Sequence, residues 1–324
     1  MTAKPARRVI ITADDFGLAV PVNEAVEQAY RRGVLTSTSL LVTGAAASDA
    51  VERARRNPGL RVGLHLAVCE GQPALPAARL RGLLNARGQL RAPLIALLQW
   101  LLPWHRAALE AEIRAQFALF EATGLPLDHV NGHNHMQLHP VVLPILLRVA
   151  REHGLPPVRL PCEPLYPSLR AARKRRWPYR LPWLAMRPWS AYVKRRLAAA
   201  GLRCNDYLFG IYDCGRFDLS RWLALVPHLP PGVSEIHCHP ASRRCAEIDA
   251  TMPDYAHEAE LSALLDPQLR AASGTKWKAP RTRARCSTVS ATSRTTCSIA
   301  RTARRADSRC APTIPPPACG RSGG

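Results

Sequence analysis

The sequence lacks the long apolar segments that mark membrane-spanning proteins. It contains no apolar run of the roughly 20 residues needed to cross a bilayer. One largely apolar stretch, Leu94–Trp104, has only eleven residues. The apolar residues after the basic N-terminus lead directly to Asp14 and Asp15, which the core of a signal peptide would not carry. We therefore expect a cytoplasmic protein.

The chain is also short of acidic residues and of paired cysteines. None of its ten cysteines forms a Cys-x-x-Cys pair, which argues against a cysteine zinc site, and reduced thiols are expected in the cytoplasm. With 24 acidic and 45 basic residues, the net charge is +21. Such charge is typical of proteins that bind nucleic acid or anionic membranes. No recognised nucleic-acid motif accompanies it, so a nucleic-acid partner is not expected.

Much of the positive charge lies in the last fifty residues. Residues 275–324 hold eleven Lys or Arg and one acid, Asp307, and so carry +10 of the +21. Their Arg-, Ser-, Thr- and Pro-rich composition cannot bury enough apolar surface to offset the entropy of ordering. We predict a disordered basic tail, whose abrupt start is also typical of a frameshifted end of a GC-rich gene. Residues 1–274 are predicted to form one domain.

The rest of the chain alternates between strand-like and helix-like segments. This alternation, repeated at least five times, predicts a parallel sheet with helical crossovers, and the length suits a barrel of about 250 residues. We predict an α/β fold, a deformed (β/α) barrel of mainly parallel strands. The predicted strands are Arg8–Ala13, Thr38–Thr43, Arg61–Val68, Leu127–Asn131, Val158–Leu160, Tyr207–Ile211 and Glu235–Cys238. The predicted helices are Val20–Gly33, Ser48–Arg56, Arg106–Thr123, Pro140–Gly154, Ser220–Pro227 and Tyr255–Ala272.

Polar residues cluster where four predicted strands end. They are Asp14 and Asp15 in TADDFG, His65 in VGLHLAV, His133, His135 and His139 in HVNGHNHMQLHP, and His237 and His239 in EIHCHPA. The carboxyl ends of parallel strands meet at one edge of the fold, so these distant residues are expected to converge.

The converging residue types suit hydrolysis at a metal ion. Two imidazoles and one carboxylate can hold a divalent ion with open positions for water and substrate. One of two adjacent carboxylates can bind the metal while the other acts as general base. The metal acidifies its water and polarises a carbonyl, and an opposing histidine can protonate a departing amine. This set is sufficient for amide hydrolysis.

Each of these residues also has a simpler interpretation. An Asp-Asp pair at a strand end is often a turn or a helix cap, and a single histidine in an apolar strand, such as His65, is more often a core residue. His139 directly precedes a helix and could lie on the surface. His237 and His239 alternate along a strand, and we expect only one of them to face the site while the other faces the opposite side.

The order of these motifs resembles that of the YdjC-like carbohydrate deacetylases. Within that family, the chain is most similar to the deacetylases associated with hopanoid biosynthesis, through segments such as VNEAVEQAYRRGVLTSTSLLV and NDYLFGIYDCGRFD. The similarity covers Arg8 to Ala272. It implies a deformed barrel that binds a divalent metal ion, magnesium or zinc. The residue roles that it implies are metal ligation by Asp15, His65 and His133, general-base catalysis by Asp14, general-acid catalysis by His239, orientation of the acetamido sugar or of the base by Arg159, and substrate binding by His135.

The implied reaction removes the acetyl group of an N-acetylated sugar, most specifically of an N-acetylglucosaminyl hopanoid in hopanoid lipid biosynthesis. Deacetylation of soluble chitooligosaccharides, or another metal-dependent hydrolysis of a carbohydrate or phosphoester, is the alternative, and a homodimer is compatible with either. The chain departs from the family at Asn131-Gly132, where many members have Asp-Ser, and at His135-Met136-Gln137, where several have His-Val-His. It also lacks the strand that relatives place after the last helix, which predicts an unpaired sheet edge.

Residues 164–197 interrupt the strand-helix pattern as a basic, Trp-rich insertion. Arg170 to Arg196 contains ten Lys or Arg and no acid, interleaved with Trp177, Trp183 and Trp189. A solvated surface helix or lid is one interpretation. The other is an interfacial segment, since tryptophan favours the headgroup region and arginine attracts anionic lipids. With Leu94–Trp104 it would form an apolar, basic rim beside the site, in peripheral contact with the inner membrane face.

Overall fold

The computed structural model describes residues 7–171 and 180–273, all within one compact unit. Its central element is a sheet of six parallel strands in the order β4-β3-β2-β1-β6-β5. The strands are β1 (Arg7–Phe16), β2 (Ser37–Leu40), β3 (Arg61–Leu66), β4 (Val130–Gly132), β5 (Tyr207–Phe209) and β6 (Gly232–Cys238).

Helices connect the strands, as the parallel arrangement requires. Those of the described residues are α1 (Val20–Arg32), α2 (Ala47–Arg56), α3 (Pro93–Gln99), α4 (Arg106–Ala122), α5 (Val142–Glu152), α6 (Leu165–Ala171), α7 (Arg180–Ala199), α8 (Leu219–Leu225), α9 (Ala246–Thr251), α10 (His257–Leu265) and α11 (Pro267–Ser273). Short 3-10 turns lie at Ala77–Arg79, Pro103–His105, His133–Leu138 and Val226–His228. No helix within residues 7–171 and 180–273 is long and apolar enough to cross a membrane.

Residues 157–162 connect the two edges of the sheet. The Val130 amide donates to the Pro157 carbonyl (2.8 Å) and the Arg159 amide to the Val130 carbonyl (2.9 Å), which attaches the segment to β4. The Leu208 amide donates to the Cys162 carbonyl (3.0 Å), which attaches it to β5. The prediction of an unpaired edge is therefore wrong, because this segment forms backbone hydrogen bonds with both edge strands. The predicted deformed barrel of parallel strands is confirmed as a curled half-barrel.

The apolar core lies on the face of the sheet that includes Ile11 and Ala13 of β1, whereas Thr12, between them, lies on the opposite, polar face. Ile11, Ala13 and Phe16 are fully buried, and Phe117 and Phe120 of α4 are among the largest buried side chains. Packing of this kind fixes the strand ends, and with them the polar groups that follow.

Several predicted boundaries shift. The predicted helix Tyr255–Ala272 is divided into α10 and α11, because Pro267 disfavours helical geometry at Asp266. The predicted strand Val158–Leu160 contributes only an isolated bridge between Val158 and Val130. The predicted insertion 164–197 contains α6 and α7, and its residues 172–179, like the predicted tail 275–324, lie outside the described residues.

Candidate active site

Asp15, His65 and His133 come together at the carboxyl ends of β1, β3 and β4. The Asp15 Oδ1 atom lies 3.2 Å from His65 Nε2 and 3.4 Å from His133 Nδ1. The two imidazole nitrogens are 3.2 Å apart. Three ligand atoms thus converge on one point, an arrangement that suits a divalent ion with coordination positions left for water and substrate.

A bulge at the end of β1 turns both neighbouring carboxylates into the same pocket. The register of β1 against β2 shifts between Ala13 and Phe16, and Asp15 adopts a left-handed backbone conformation with φ of 62°. Consecutive side chains of a regular strand would point to opposite faces, but a bulge re-aims one of them. Asp14 and Asp15 therefore line one pocket.

Each candidate ligand histidine is oriented by a second partner. His65 Nδ1 lies 2.9 Å from Asn131 Oδ1, and His133 Nε2 lies 3.3 Å from Glu70 Oε2. The Asn131 amide nitrogen is occupied as a donor, so its oxygen accepts from His65. With a metal ion bound, the outer nitrogen of each histidine would hold the proton and the inner nitrogen would give its lone pair to the ion.

The charged groups around Asp15 and His133 favour the binding of a cation. Burial opposes protonation of His133, but the neighbouring carboxylates of Asp15 and Glu70 raise its pKa to about 10. Burial would also raise the pKa of Asp15, yet His133 and His65 hold that pKa well below its ordinary value. Both Asp15 oxygens are buried without a well-aligned hydrogen bond. A buried carboxylate is rarely left unsatisfied, and a metal ion would satisfy this one. The residues present therefore fit a divalent ion.

Asp14 is held rigidly beside this triad. Arg159 donates from Nη1 to Oδ2 (2.5 Å) and from Nη2 to Oδ1 (2.9 Å), and Oδ1 also accepts from Asn131 (3.0 Å) and Ser39 (2.9 Å). Burial raises the pKa of Asp14, but the Arg159 guanidinium outweighs it and holds the pKa well below the ordinary value. Asp14 is thus an ionised carboxylate with a fixed orientation.

Arg159 does not reach the substrate pocket, contrary to the expectation that it binds substrate. Its side chain is 0% exposed and also pairs with Glu235 (2.8 Å) beneath the site. Of the two roles expected of it, orientation of the base is the one that this geometry permits.

The opposite wall of the pocket is built from neutral groups. It contains His135, Cys214, His237, His239 and Tyr255. The expectation that only one of His237 and His239 faces the site is wrong, because residues two apart on a strand share a face. Burial lowers the pKa of both imidazoles, so both are neutral when no negative charge develops nearby.

The remaining predicted histidines are separated by the turn after β4. His135 lies in the pocket, with its ring centroid 5.4 Å from that of His237, which is where a group in contact with substrate should be. His139 lies outside the pocket. Its Nε2 is 3.1 Å from the Leu97 carbonyl, and its ring contacts Trp100.

Two departures from the family pattern contact each other. A Cβ atom at Gly132 would lie 2.4 Å from Gln137 Oε1 and 2.9 Å from the Gln137 amide nitrogen. A larger residue at position 132 would therefore collide with Gln137 in this conformation. Asn131, which belongs to the same departure as Gly132, orients His65 and contacts Asp14.

Glu70, Cys214 and Tyr255 belong to the site but were not predicted from the sequence. Glu70 follows β3 in an irregular segment, and no periodic pattern or metal-ligand spacing distinguishes it. Cys214 lies in the loop after β5, far from any other cysteine. A polar residue shortly after a strand is the only signal that either residue offers.

Comparison with known proteins places the chain in a family. Residues 8–273 match the YdjC-like protein family. The chain is 37% identical to a carbohydrate deacetylase of Brevibacillus brevis over 48% of this chain and 59% of that protein. It is 35% identical to a chitooligosaccharide deacetylase of Serratia marcescens over 46% of this chain and 57% of that protein. The matched part therefore spans somewhat more than half the length of these two relatives.

Two further matches extend over most of the chain. A carbohydrate deacetylase of Mus musculus is 31% identical over 83% of this chain and 91% of that protein. A crystal structure from Enterococcus faecalis V583, described as a cellobiose-phosphate cleavage protein, matches 83% of this chain and 94% of its own with a TM-score of 0.65 at 23% identity, which shows a shared fold. From the family match and the extent of these similarities, the chain belongs to the YdjC-like protein family.

Proposed function

We propose that this protein is a divalent-metal-dependent hydrolase that removes the acetyl group from an N-acetylated sugar. The observation that carries the proposal is the convergence of Asp15, His65 and His133 beside an ionised Asp14, with His239 across the pocket. The names of the Brevibacillus, Serratia and mouse relatives support deacetylation of a carbohydrate as the reaction.

The residues divide the work of amide hydrolysis between the two walls. When bound, magnesium or zinc would acidify a water molecule and polarise the acetyl carbonyl. Asp14, fixed by Arg159, would accept a proton from the attacking water, which the metal would make more acidic. His239 must first hold a proton, which burial opposes and the nearby charges of Asp15 and Asp14 favour, and it then donates that proton to the amine nitrogen as the carbon-nitrogen bond breaks. Acetate and the free amino sugar result.

We further propose that the sugar is lipid-linked, as in an N-acetylglucosaminyl hopanoid. Leu94 and Trp104 of the apolar stretch 94–104 are 71% and 69% exposed. The stretch adjoins the site through His139, which contacts the Leu97 carbonyl, while Trp189 of α7 donates to the Leu138 carbonyl (3.0 Å). Both regions thus border the turn that carries His133 and His135.

A largely apolar cavity beside the pocket supports the same substrate. It is lined by His135 and Ile211, which also line the active-site pocket, and by Leu138, Pro161 and Met186. A sugar with its acetamide at the metal triad could extend an apolar group into this cavity. The exposed stretch 94–104 and the helices of residues 164–197 would then contact the inner membrane face, where such a substrate resides.

Mass spectrometry tests the reaction and the substrate together. The protein is incubated with N-acetylglucosaminyl hopanoid or with the N,N′-diacetylated form of chitobiose, in magnesium or zinc, and the product is examined for a loss of about 42 mass units, one acetyl replaced by hydrogen. We expect the hopanoid to react and chitobiose to react poorly. Reaction of chitobiose alone would contradict the lipid-linked substrate, and reaction of neither would contradict deacetylation.

Vesicle flotation tests the membrane contact. We expect the protein to float with anionic vesicles, and Leu98→Asp with Trp104→Asp to reduce the bound fraction several-fold. Leu119→Asp provides the matched control, because Leu119 is also an exposed leucine but lies on α4. Equal binding by all three proteins would contradict a role for the apolar stretch in membrane contact.

A further inference from the structure

We infer that Cys214, His237 and His239 form a second metal site that selects zinc or a similarly soft divalent ion, and that its occupation inhibits the enzyme. The Cys214 Sγ atom lies 4.0 Å from His237 Nε2 and 3.8 Å from His239 Nδ1. The three ligand atoms all lie within 4.8 Å of one another. Ligands around one zinc ion are separated by about 3.5 Å, given zinc-sulfur and zinc-nitrogen bonds of about 2.3 and 2.0 Å.

His237 is prepared as a ligand by its backbone contact. Its Nδ1 atom donates to the Phe209 carbonyl at 2.9 Å, which leaves the Nε2 lone pair directed toward Cys214. Such a bond on the outer nitrogen is typical of metal-binding histidines. Gly210 makes this approach possible: its φ is +103°, and a Cβ there would lie 2.5 Å from the His237 carbonyl oxygen.

Cys214 is a thiol that a metal ion can convert to thiolate. Burial raises its pKa to about 12, although the hydrogen bond from the Tyr255 hydroxyl, 3.1 Å from Sγ, acts in the opposite direction. A metal ion that binds here displaces the thiol proton into solvent, and the Tyr255 hydroxyl then donates to the sulfur that carries the new charge.

The two sites in the pocket differ in the ions that they prefer. Asp15, His65 and His133 offer one oxygen and two nitrogens, which accept magnesium, manganese or zinc. The second site offers a sulfur in place of the oxygen, and thiolate selects zinc, cadmium or cobalt over magnesium. The second site should therefore stay empty in magnesium and fill in excess zinc.

Occupation of the second site has a direct chemical consequence. His239 would give its Nδ1 lone pair to the metal, and the added positive charge would oppose protonation of that ring. A histidine in that state delivers protons poorly to a departing amine. Inhibition by excess zinc rests on the proposed function, whereas metal binding at this site does not.

Metal counting tests the binding without reference to activity. Full-length protein, Cys214→Ala and the control Cys204→Ala are dialysed against excess zinc, and zinc per chain is measured. Cys204 is also a partly buried free thiol but lies outside the cluster, and each variant keeps nine cysteines. We expect Cys214→Ala to hold one ion fewer than the other two. Equal counts in all three would overturn the proposal.

Two measurements on folded protein sharpen this result. With cobalt in place of zinc, we expect a sulfur-to-cobalt absorption in the near ultraviolet that Cys214→Ser, a nearly isosteric change, removes. In the unaltered protein, zinc should slow alkylation of Cys214 at least tenfold and leave that of Cys204 unchanged. If the cobalt absorption band persists in Cys214→Ser, or if zinc does not change the alkylation rate of Cys214, the proposed site is wrong.

Inhibition is then measured relative to each protein's own activity in magnesium. Excess zinc should inhibit Cys204→Ala and the unaltered protein several-fold more than Cys214→Ala. Equal zinc inhibition, together with a missing ion in Cys214→Ala, would overturn the inhibitory role while leaving the site in place. Absence of activity in every protein would instead contradict the proposed function.

Discussion

The two walls of the pocket both contain histidines, but the residues that contact those histidines differ. On one wall, His65 lies beside the carboxylate of Asp15 and His133 beside those of Asp15 and Glu70, so both imidazoles face negative charge. On the other, His237 and His239 stand beside a thiol and a phenol. Histidine alone therefore does not specify a role; the partner of each imidazole does.

This contrast assigns a cation to the first wall and proton transfer to the second. Carboxylates around His133 raise its pKa, while burial lowers the pKa of His237 and His239. Asp14 differs from both groups of residues, because it is ionised but is paired with the buried side chain of Arg159. The walls should accordingly respond to substitution in different ways.

The largest effect is expected on the carboxylate wall. His65→Ala should remove the bound metal ion and lower kcat/KM by about 10⁴-fold or more, because a metal supplies several kcal/mol of transition-state stabilisation. Metal content and initial rates are measured on the same preparation. His153→Ala, which alters the histidine that directly follows α5 and is not among the residues lining the pocket, should change neither. Retention of metal by His65→Ala would remove the distinction between the walls.

Asp14→Asn should separate catalysis from metal binding. The amide keeps the shape of the carboxylate but cannot accept a proton, so turnover should fall by about 10²–10⁴-fold. Metal content should remain close to that of the unaltered protein, because Asp14 is not among the candidate ligands. Loss of metal equal to that of His65→Ala would refute the division of roles between the two aspartates.

The effect of His239→Gln on the rate should depend on the leaving group of the substrate. With an N-acetyl sugar we expect a loss of about 10²–10³-fold in kcat, because the amine must be protonated as it departs. With an activated acetyl ester, whose leaving group needs no proton, the loss should be less than about tenfold. The ratio of the two losses is the measured quantity. A ratio near one would exclude His239 as the general acid.

Glu70→Gln is expected to have the smallest effect and acts through His133. Replacement of the carboxylate that orients the ring should weaken metal affinity by about 10–100-fold. Titration with metal should then restore most of the activity, with Glu52→Gln of α2 as an exposed control. Activity that stays low at saturating metal would show that Glu70 does more than position His133.

The sequence predicts the participants of the first wall well. The apolar run of β1 ends at Asp14 and Asp15, and His65 and His133 follow or end their own strands, so parallel topology alone brings them to one edge. Their mutual distances could not be derived in this way. Both aspartates face one pocket only because a bulge interrupts β1, and the sequence carries no periodic sign of it.

The second wall was harder to predict because Cys214 and Tyr255 lie in loops, away from the strand ends that indicated its histidines. Cys214 contacts histidines that are more than twenty residues away in the sequence, and Arg159 donates hydrogen bonds to Asp14, which is 145 residues away. The error about His237 and His239 had a different origin, since the period of a strand already places both on one face. The unpaired edge was also wrongly predicted, because residues 157–162 replace a closing strand without forming one.

Anomalous diffraction from crystals loaded with one equivalent of zinc tests the central claim most directly. We predict one peak within about 2.0–2.2 Å of Asp15 Oδ1, His65 Nε2 and His133 Nδ1. A peak bonded only to residues of the opposite wall, or none near Asp15, would contradict the assignment of the cation to the carboxylate wall.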